Sequence, residues 1–468
     1  SIEKRSRCDL HQFQTWPPIS IMADMAEQVL FLRGPYGEPL HIERAEGAYL
    51  YTRDGRKLLD ASSGAIVVNV GQGRRELAEL AREQVERLNY VLPLWVSPPR
   101  ERLVERLARW TPPGLDRFFF TSGGSEAVEA AIKFAFLYHR VRGRQTRTRI
   151  VSRRLSYHGN TLGALSVSGN RARRADFEHV LFDWPKIPPS YCYRCPWERS
   201  YPGCDLECAE ALEEAVAGEG ADKIAAFIAE PMVGASGGVI PPVAEYWPRI
   251  AEICRRHDIV LIADEVMTGF GRTGKRFAVE HWGVTPDIIV GGKGLTGGYA
   301  PMGMIAVSRS LTQVCEEAGV DFMFFTYTAH PLACALAERV LEIMERENLV
   351  EHAARIGAHL GERLKAELGG HSITGEIRGA GLFWGIEVVA DRATRKPFAP
   401  GQQVARKLLR AAMERGVAVY QATGMAAEQG GDAVMVAPPF VIGEAEVELI
   451  ARVLRESFDS VYQNLHRA

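Results

Sequence analysis

Two hydrophobic periodicities alternate through the middle of the chain. The short apolar runs Ala225–Ala229, Ile259–Ala263 and Ile288–Val290 read as buried strands, and longer amphipathic stretches separate them. In Ser125–His139, the residues Val128, Ala131, Ile132, Ala135 and Phe136 fall on one helical face. Glu129 and Lys133 stand four apart on that helix and are expected to pair on its outer side. Strand–helix alternation of this kind predicts an α/β domain built on a mainly parallel sheet.

The pattern changes in the last third. Pro331–Leu368 has helical spacing and is rich in Ala, Leu and Glu, Leu382–Val388 is strand-like, and Gln402–Arg415 is helical again. A smaller α+β unit is expected there. Near the N-terminus, Ala48–Tyr51 precedes the turn Asp54-Gly55 and predicts a short strand pair that packs with this smaller unit. The expected division is a segment 1–60, a large unit 61–330 and a C-terminal unit 331–468. A Pro-, Tyr- and Cys-rich surface insertion occupies 186–208 of the large unit.

Composition narrows the function classes. At 468 residues, 46% of them hydrophobic, the chain can bury more than one structural unit. A net charge of −2 offers no basic field for nucleic acid. No apolar run is long enough to span a bilayer, and none follows Ser1–Arg5 as a signal peptide would. A soluble cytoplasmic protein is the expectation.

The basic residues are mostly Arg, so a Lys in an apolar, Gly-rich stretch stands out. Lys293 follows Ile288–Val290 and is flanked by Gly291, Gly292 and Gly294. Burial disfavours the ammonium form and leaves a nucleophilic amine suited to Schiff-base chemistry; the plain alternative is a loop Lys facing solvent. Asp264 ends the run Ile259–Ala263. Ligands of parallel sheets bind beyond the carboxyl ends of the strands, and a carboxylate there suits a protonated ring nitrogen such as that of pyridoxal phosphate. A helix cap or structural acid is the other reading. Thr121–Glu126 follows Phe118–Phe120 and opens a helix, so the amides of Gly124 and Ser125 form an anion site or an ordinary cap. Tyr157, in Tyr157-His158-Gly159, offers a ring to stack on a planar cofactor, or a core aromatic. Taken singly each motif is ambiguous; their order on one α/β domain points to a pyridoxal-phosphate enzyme.

The run Ala263-Asp264-Glu265-Val266-Met267-Thr268-Gly269-Phe270-Gly271-Arg272-Thr273-Gly274, followed by Lys293-Gly294-Leu295 and Gly297-Gly298-Tyr299, carries a specific resemblance. From about Leu40 onward the chain resembles the class III aminotransferases of pyridoxal-phosphate fold type I, in the aspartate aminotransferase superfamily. The resemblance implies a large cofactor-binding domain with a mainly parallel sheet between helices, and a smaller α+β domain from the N- and C-terminal segments. It makes Lys293 the Schiff-base lysine and proton carrier, and Asp264 the partner of the pyridine nitrogen. Val266 packs on one ring face and Tyr157 on the other, with His158 beside it. Gly124 and Ser125 hold the phosphate, and Glu230, in Ala229-Glu230-Pro231-Met232, is an acid near the cofactor. Thr326, in Phe325–Pro331, reaches the phosphate of a neighbouring subunit, which implies a homodimer. The implied reaction is a ping-pong amino transfer through an internal aldimine, from an amine, ω-amino acid or amino acid donor to a 2-oxo acid such as pyruvate.

The chain also departs from the family pattern. Met435 stands where ornithine-type members carry Arg, and Val417–Gln421 lacks the mobile Arg that amine:pyruvate transaminases place there. A substrate carboxylate must then meet Gln421, backbone amides or an Arg from elsewhere. Asn69–Arg74 is nearer the amine-transaminase pattern, and Ala422–Gly431 resembles an insertion. Ile66 replaces a bulky aromatic of several amine transaminases. Leu94 and Trp95 fall where the family lines its substrate pocket, so Ile66, Trp95 and Gln421 are expected to border an apolar pocket; a core tryptophan is the alternative for Trp95. Cys192, Cys195, Cys204 and Cys208 form two close pairs that bind zinc, form disulfides or stay free, with stabilisation of the insertion the expected purpose and no metal assigned. The same catalytic residues also serve an amino-acid racemase, epimerase or aminomutase, and less readily a decarboxylase. A scaffold protein is disfavoured by the joint presence of Lys293, Asp264 and the phosphate turn.

Overall fold

The computed structural model describes residues 40–322, 324–426 and 430–467, and Ile42–Ala468 forms one compact unit. The part of the expected 1–60 segment that falls on residues 1–39 lies outside the described residues.

The apolar runs become the centre of a seven-stranded sheet in the order β4-β10-β9-β8-β7-β5-β6. Its strands are β4 (Arg117–Thr121), β5 (Arg149–Arg153), β6 (Lys186–Ile187), β7 (Ile224–Ala229), β8 (Val260–Asp264), β9 (Ile288–Gly291) and β10 (Gly303–Val307). β7, β8, β9 and β10 are buried along their whole length. That is why they read as continuous apolar runs without alternation. Pairings β5–β7, β7–β8 and β8–β9 are parallel, and β10 is antiparallel to both neighbours, so the fold is α/β with one reversed strand. β10 escaped the sequence reading, although Met304–Val307 is as apolar as the runs that were recognised.

Helices flank the sheet. The predicted helix at Ser125–His139 runs Gly124–Val141 and buries Val128, Ala131, Ile132 and Ala135. The expected Glu129–Lys133 pair does not form. Glu129 Oε1 instead accepts from the amides of Gly163 (2.8 Å) and Ala164 (3.1 Å), at the start of the helix Leu162–Val167. Two orphan donors of a helix N-terminus outbid one solvated surface pair, which is worth only about 0.3–0.5 kcal/mol. Pro331–Leu368 is two helices, Pro331–Arg346 and Leu349–Leu368, broken at Asn348 in the left-handed region (φ 49°).

Two further sheets stand beside the large one. One is β1 (Ile42–Glu46), β2 (Tyr49–Thr52), β3 (Lys57–Asp60) and β13 (Val417–Ala418), in which Leu59 pairs with Val417 across a parallel ladder. The other has the order β11 (Thr374–Ala380), β12 (Phe383–Val388), β15 (Asp432–Val436) and β14 (Tyr420–Thr423). In the stretch Ala422–Gly431, Ala422 and Thr423 belong to β14 and pair with Ala433 and Asp432 of β15, and 427–429 lie outside the described residues.

The 186–208 insertion is not wholly superficial. Its Tyr191 is buried and its hydroxyl donates to Glu387 of β12, while Arg194 Nε (2.6 Å) and Arg378 (2.8 Å) also hold that fully buried carboxylate. A buried acid persists only when so paired, and the network staples the insertion to β12. The four cysteines are free thiols, with Cys192 exposed. Although the Cys192 residue is exposed as a whole, partial desolvation of its thiol, with Cys208, Cys204 and Cys195 nearby, pushes it up to about 11. Among the described residues, no helix is long and apolar enough to cross a membrane.

Candidate active site

The sheet topology delivers six of the expected site residues to one edge. Gly124 follows β4, Tyr157 and His158 follow β5, Glu230 follows β7, Asp264 ends β8, and Lys293 follows β9. Those strands share one direction, so their carboxyl ends open on a common crevice, where ligands of such sheets bind. β8 and β9 are neighbours in register, with Asp264 opposite Val290, so Asp264 and Lys293 come together although a long loop separates them in sequence.

Asp264 is buried. Its Oδ1 accepts from the Val266 amide at 3.1 Å and its Oδ2 faces His158 Nδ1 at 2.7 Å. His158 is itself held by its amide on Ser168 Oγ (2.8 Å), and its buried Nε2 has no partner among the described residues. The two residues therefore lock one carboxylate orientation and leave a ring nitrogen for a ligand or water.

Lys293 takes a left-handed backbone conformation (φ 44°) between glycines, in a tight turn off β9. The residue is half-buried, but its amine lies deep, and burial pushes the amine down to about 8; Asp264 opposes that shift and Arg173 adds to it. Near physiological pH a minority of the amine is therefore neutral, far more than for an ordinary lysine, and that is the form a nucleophile needs.

The turn at Gly124 and Ser125 is adjacent. A Cβ built on Gly124 would stand 2.8 Å from Val266 Cγ1, and Gly292 would place one 3.5 Å from the same atom. The turn, Val266 and the approach to Lys293 are thus in van der Waals contact, with room only for hydrogen at position 124. Gly124 opens an 18-residue helix whose first amides lack intrahelical partners, and Ser125 Oγ accepts from the Asn160 amide at 3.0 Å, next to Tyr157-His158-Gly159. Gly124→Ala must therefore push Val266 or the turn aside. We expect about a tenfold or greater rise in the dissociation constant for pyridoxal phosphate, measured by titration of the cofactor-free protein.

Glu230 is buried with Oε1 near the amides of Tyr157 (3.4 Å) and Gly234 (3.3 Å), and burial raises its pKa. Its Oε2 lies 3.7 Å from Arg153, a buried residue at the end of β5 that sequence reading missed. The missed signal was a charged residue closing an apolar strand. Arg272 was quoted only as part of a motif. Fully buried, it donates to Leu382 O (3.0 Å), Pro438 O (2.6 Å) and Asn69 Oδ1 (2.7 Å), binding three separate segments behind the site.

The remaining expected residues lie apart or at the margin. Ile66 is buried against the cluster that contains Met232, Val233 and Met435. Gln421 is half-buried on β14, and its buried Oε1 has no partner among the described residues. Trp95 is 64% exposed, which rules out a core tryptophan. Thr326 is exposed, and Tyr90 Oη donates to its carbonyl at 2.9 Å.

The buried orphan atoms, the strand-end acid, the depressed amine and the cradle at Gly124 fit a planar, phosphorylated, aldehyde-bearing cofactor. The family model for class III aminotransferases matches residues 34–458. The chain belongs to the class III aminotransferases. This aminotransferase is 39% identical over 428 residues to the Bacillus subtilis aminotransferase YodT, covering 91% of this chain and 96% of that one. It also resembles a thermostable (S)-enantioselective omega-transaminase from Thermomicrobium roseum, with a TM-score of 0.89, 40% identity, and coverage of 96% of this chain and 100% of the other. An amine transaminase of an uncultivated Pseudomonas species, in its pyridoxal-phosphate-bound form, matches with a TM-score of 0.86 and 34% identity over 92% of this chain and 99% of the other. Class III aminotransferases depend on pyridoxal phosphate and exchange amino groups between small amino and keto compounds, and their fold type I architecture is that of this enzyme.

Proposed function

We propose that this aminotransferase moves an amino group from an amine or ω-amino acid to a 2-oxo acid such as pyruvate, using pyridoxal 5'-phosphate bound at Lys293. The observation that carries the reading is the meeting of the depressed Lys293 amine with the buried Asp264–His158 pair at the edge formed by β8 and β9. The transaminases of amines among its structural neighbours favour an amine donor.

Pyridoxal phosphate, when bound, supplies an aldehyde and an electron-accepting ring. The amides of Gly124 and Ser125 would hold its phosphate, and Val266 and Tyr157 would flank its ring. Asp264, fixed by His158, would keep a proton on the ring nitrogen. Lys293 Nζ would hold the cofactor covalently and would be the base for the donor proton. Glu230, behind Tyr157, holds the loop that carries the stacking ring. Thr326 would serve the phosphate of a second copy. Leu94 (69% exposed), Trp95 and Tyr327 (59%) are large apolar side chains left open to solvent, which a second copy would cover.

Because the neutral amine is the nucleophile, capture of pyridoxal phosphate by the cofactor-free protein should speed up as pH rises and level off above about 8, where an ordinary lysine would continue toward 10.5. Stopped-flow absorbance measures this profile.

The test of the function is stoichiometric. An amine donor alone should bleach the visible absorbance of the yellow holoenzyme, and pyruvate should restore it. A racemase or aminomutase keeps its colour under the same treatment, and that result would overturn the reading.

A further inference from the structure

A 2-oxo acid presents a carboxylate, and neither Met435, buried on β15, nor the stretch Val417–Gln421 supplies an arginine to meet it. We infer that Arg173 is the carboxylate receptor of this site, beside Tyr157; the inference rests on the amino-transfer reading above.

Arg173 lies in the helical turn Arg171–Arg174, and its guanidinium carbon stands 4.2 Å from the centroid of the Tyr157 ring. Stacking uses the face of a guanidinium and leaves its edge N–H groups free for a carboxylate fork. Its neighbour Arg174 is already committed. Arg174 is buried and donates to the carbonyls of Leu165 (3.0 Å), Ser166 (2.8 Å) and Ser168 (2.9 Å) while pairing with Glu178. Among the described residues no carboxylate stands against the Arg173 guanidinium. Its charge is nevertheless felt at the Lys293 amine, which places it within electrostatic reach of the reacting groups.

The turn is also anchored toward the expected substrate side. Asn170 Oδ1 accepts from the Arg173 amide at 3.2 Å, and Asn170 Nδ2 donates to Thr423 O at 3.5 Å. Thr423 lies on β14 two residues beyond Gln421, whose buried Oε1 lacks a partner among the described residues. Arg173 and Gln421 thus belong to elements tied together across one seam, with a cation on one side and an unsatisfied amide on the other. A cation that has an aromatic seat but, among the described residues, no acid partner is the arrangement a transient anionic ligand requires.

The two half-reactions separate this inference from the reading beneath it. Holoenzyme carrying Arg173→Met or Arg173→Lys is first converted with 1-phenylethylamine, and the return of visible absorbance is then followed with pyruvate or with butanal, which has no carboxylate. Arg173→Met should slow the pyruvate step about 30-fold and the butanal step less than threefold, and Arg173→Lys should recover part of the loss. Equal losses with both acceptors, or no loss with either, would overturn the assignment of Arg173. Failure of the unaltered enzyme to bleach with the amine would instead overturn the amino-transfer reading, and this inference with it.

Discussion

Lys293→Ala is expected to lower kcat/KM about 10⁴-fold or more and to abolish covalent retention of pyridoxal phosphate after borohydride treatment. Two separate functions are lost with this one amine. On the proposed function it is the nucleophile that holds the cofactor and the base that moves the donor proton; a positioned base alone contributes about 10²–10⁴-fold. Burial has already lowered its pKa to about 8, so a freely exposed amine does not replace it at equal concentration. The cofactor should still bind reversibly, because Gly124, Ser125, Val266 and Asp264 are untouched, and added methylamine should restore part of the rate. Steady-state kinetics, with mass spectrometry of the reduced protein, checks both parts. More than about 1% residual activity in the alanine variant, or a borohydride label elsewhere than position 293, would remove the basis of the proposed function.

Asp264→Asn should cost about 10³-fold in kcat/KM while leaving the protein folded. The amide keeps the shape of the side chain and retains an acceptor for the Val266 amide, so packing at the end of β8 survives. The negative charge that favours a protonated ring nitrogen is lost. In a buried site, removal of one partner of a charged pair costs about 3–5 kcal/mol, which matches a loss of this size. Asp264→Ala should lose at least as much activity and also leave His158 Nδ1 without its acceptor, so its thermal midpoint should fall below that of Asp264→Asn. Kinetics paired with thermal unfolding of both variants separates the electrostatic from the structural contribution. An asparagine variant within tenfold of the unaltered enzyme would show that Asp264 does not partner the ring.

Much of the site was legible because its chemistry sits at the ends of strands. A buried strand is a continuous apolar run, so Asp264 and Lys293 could be seen to close such runs, and Gly124 to follow one. The helix at Gly124–Val141 was legible from its spacing for the same reason. The reversed strand β10 was not, because an apolar run carries no sign of its direction. Nor could spacing reveal that Glu129 would leave Lys133 for the amides of Gly163 and Ala164, since the choice depends on a helix distant in sequence.

The sequence by itself determined the α/β class, the order of the chemical groups along the chain and which residues are candidates to meet a cofactor. All of these follow from local periodicity and from motifs short enough to be read in place. Only the tertiary structure decided that β8 and β9 lie side by side and bring Asp264 to Lys293, that Trp95 faces outward, and that of two adjacent arginines Arg174 is locked inward while Arg173 stacks on Tyr157. The reason is physical: identical side chains next to each other in sequence diverge when the backbone turns between them, and which one meets solvent or a ligand depends on partners contributed by distant segments.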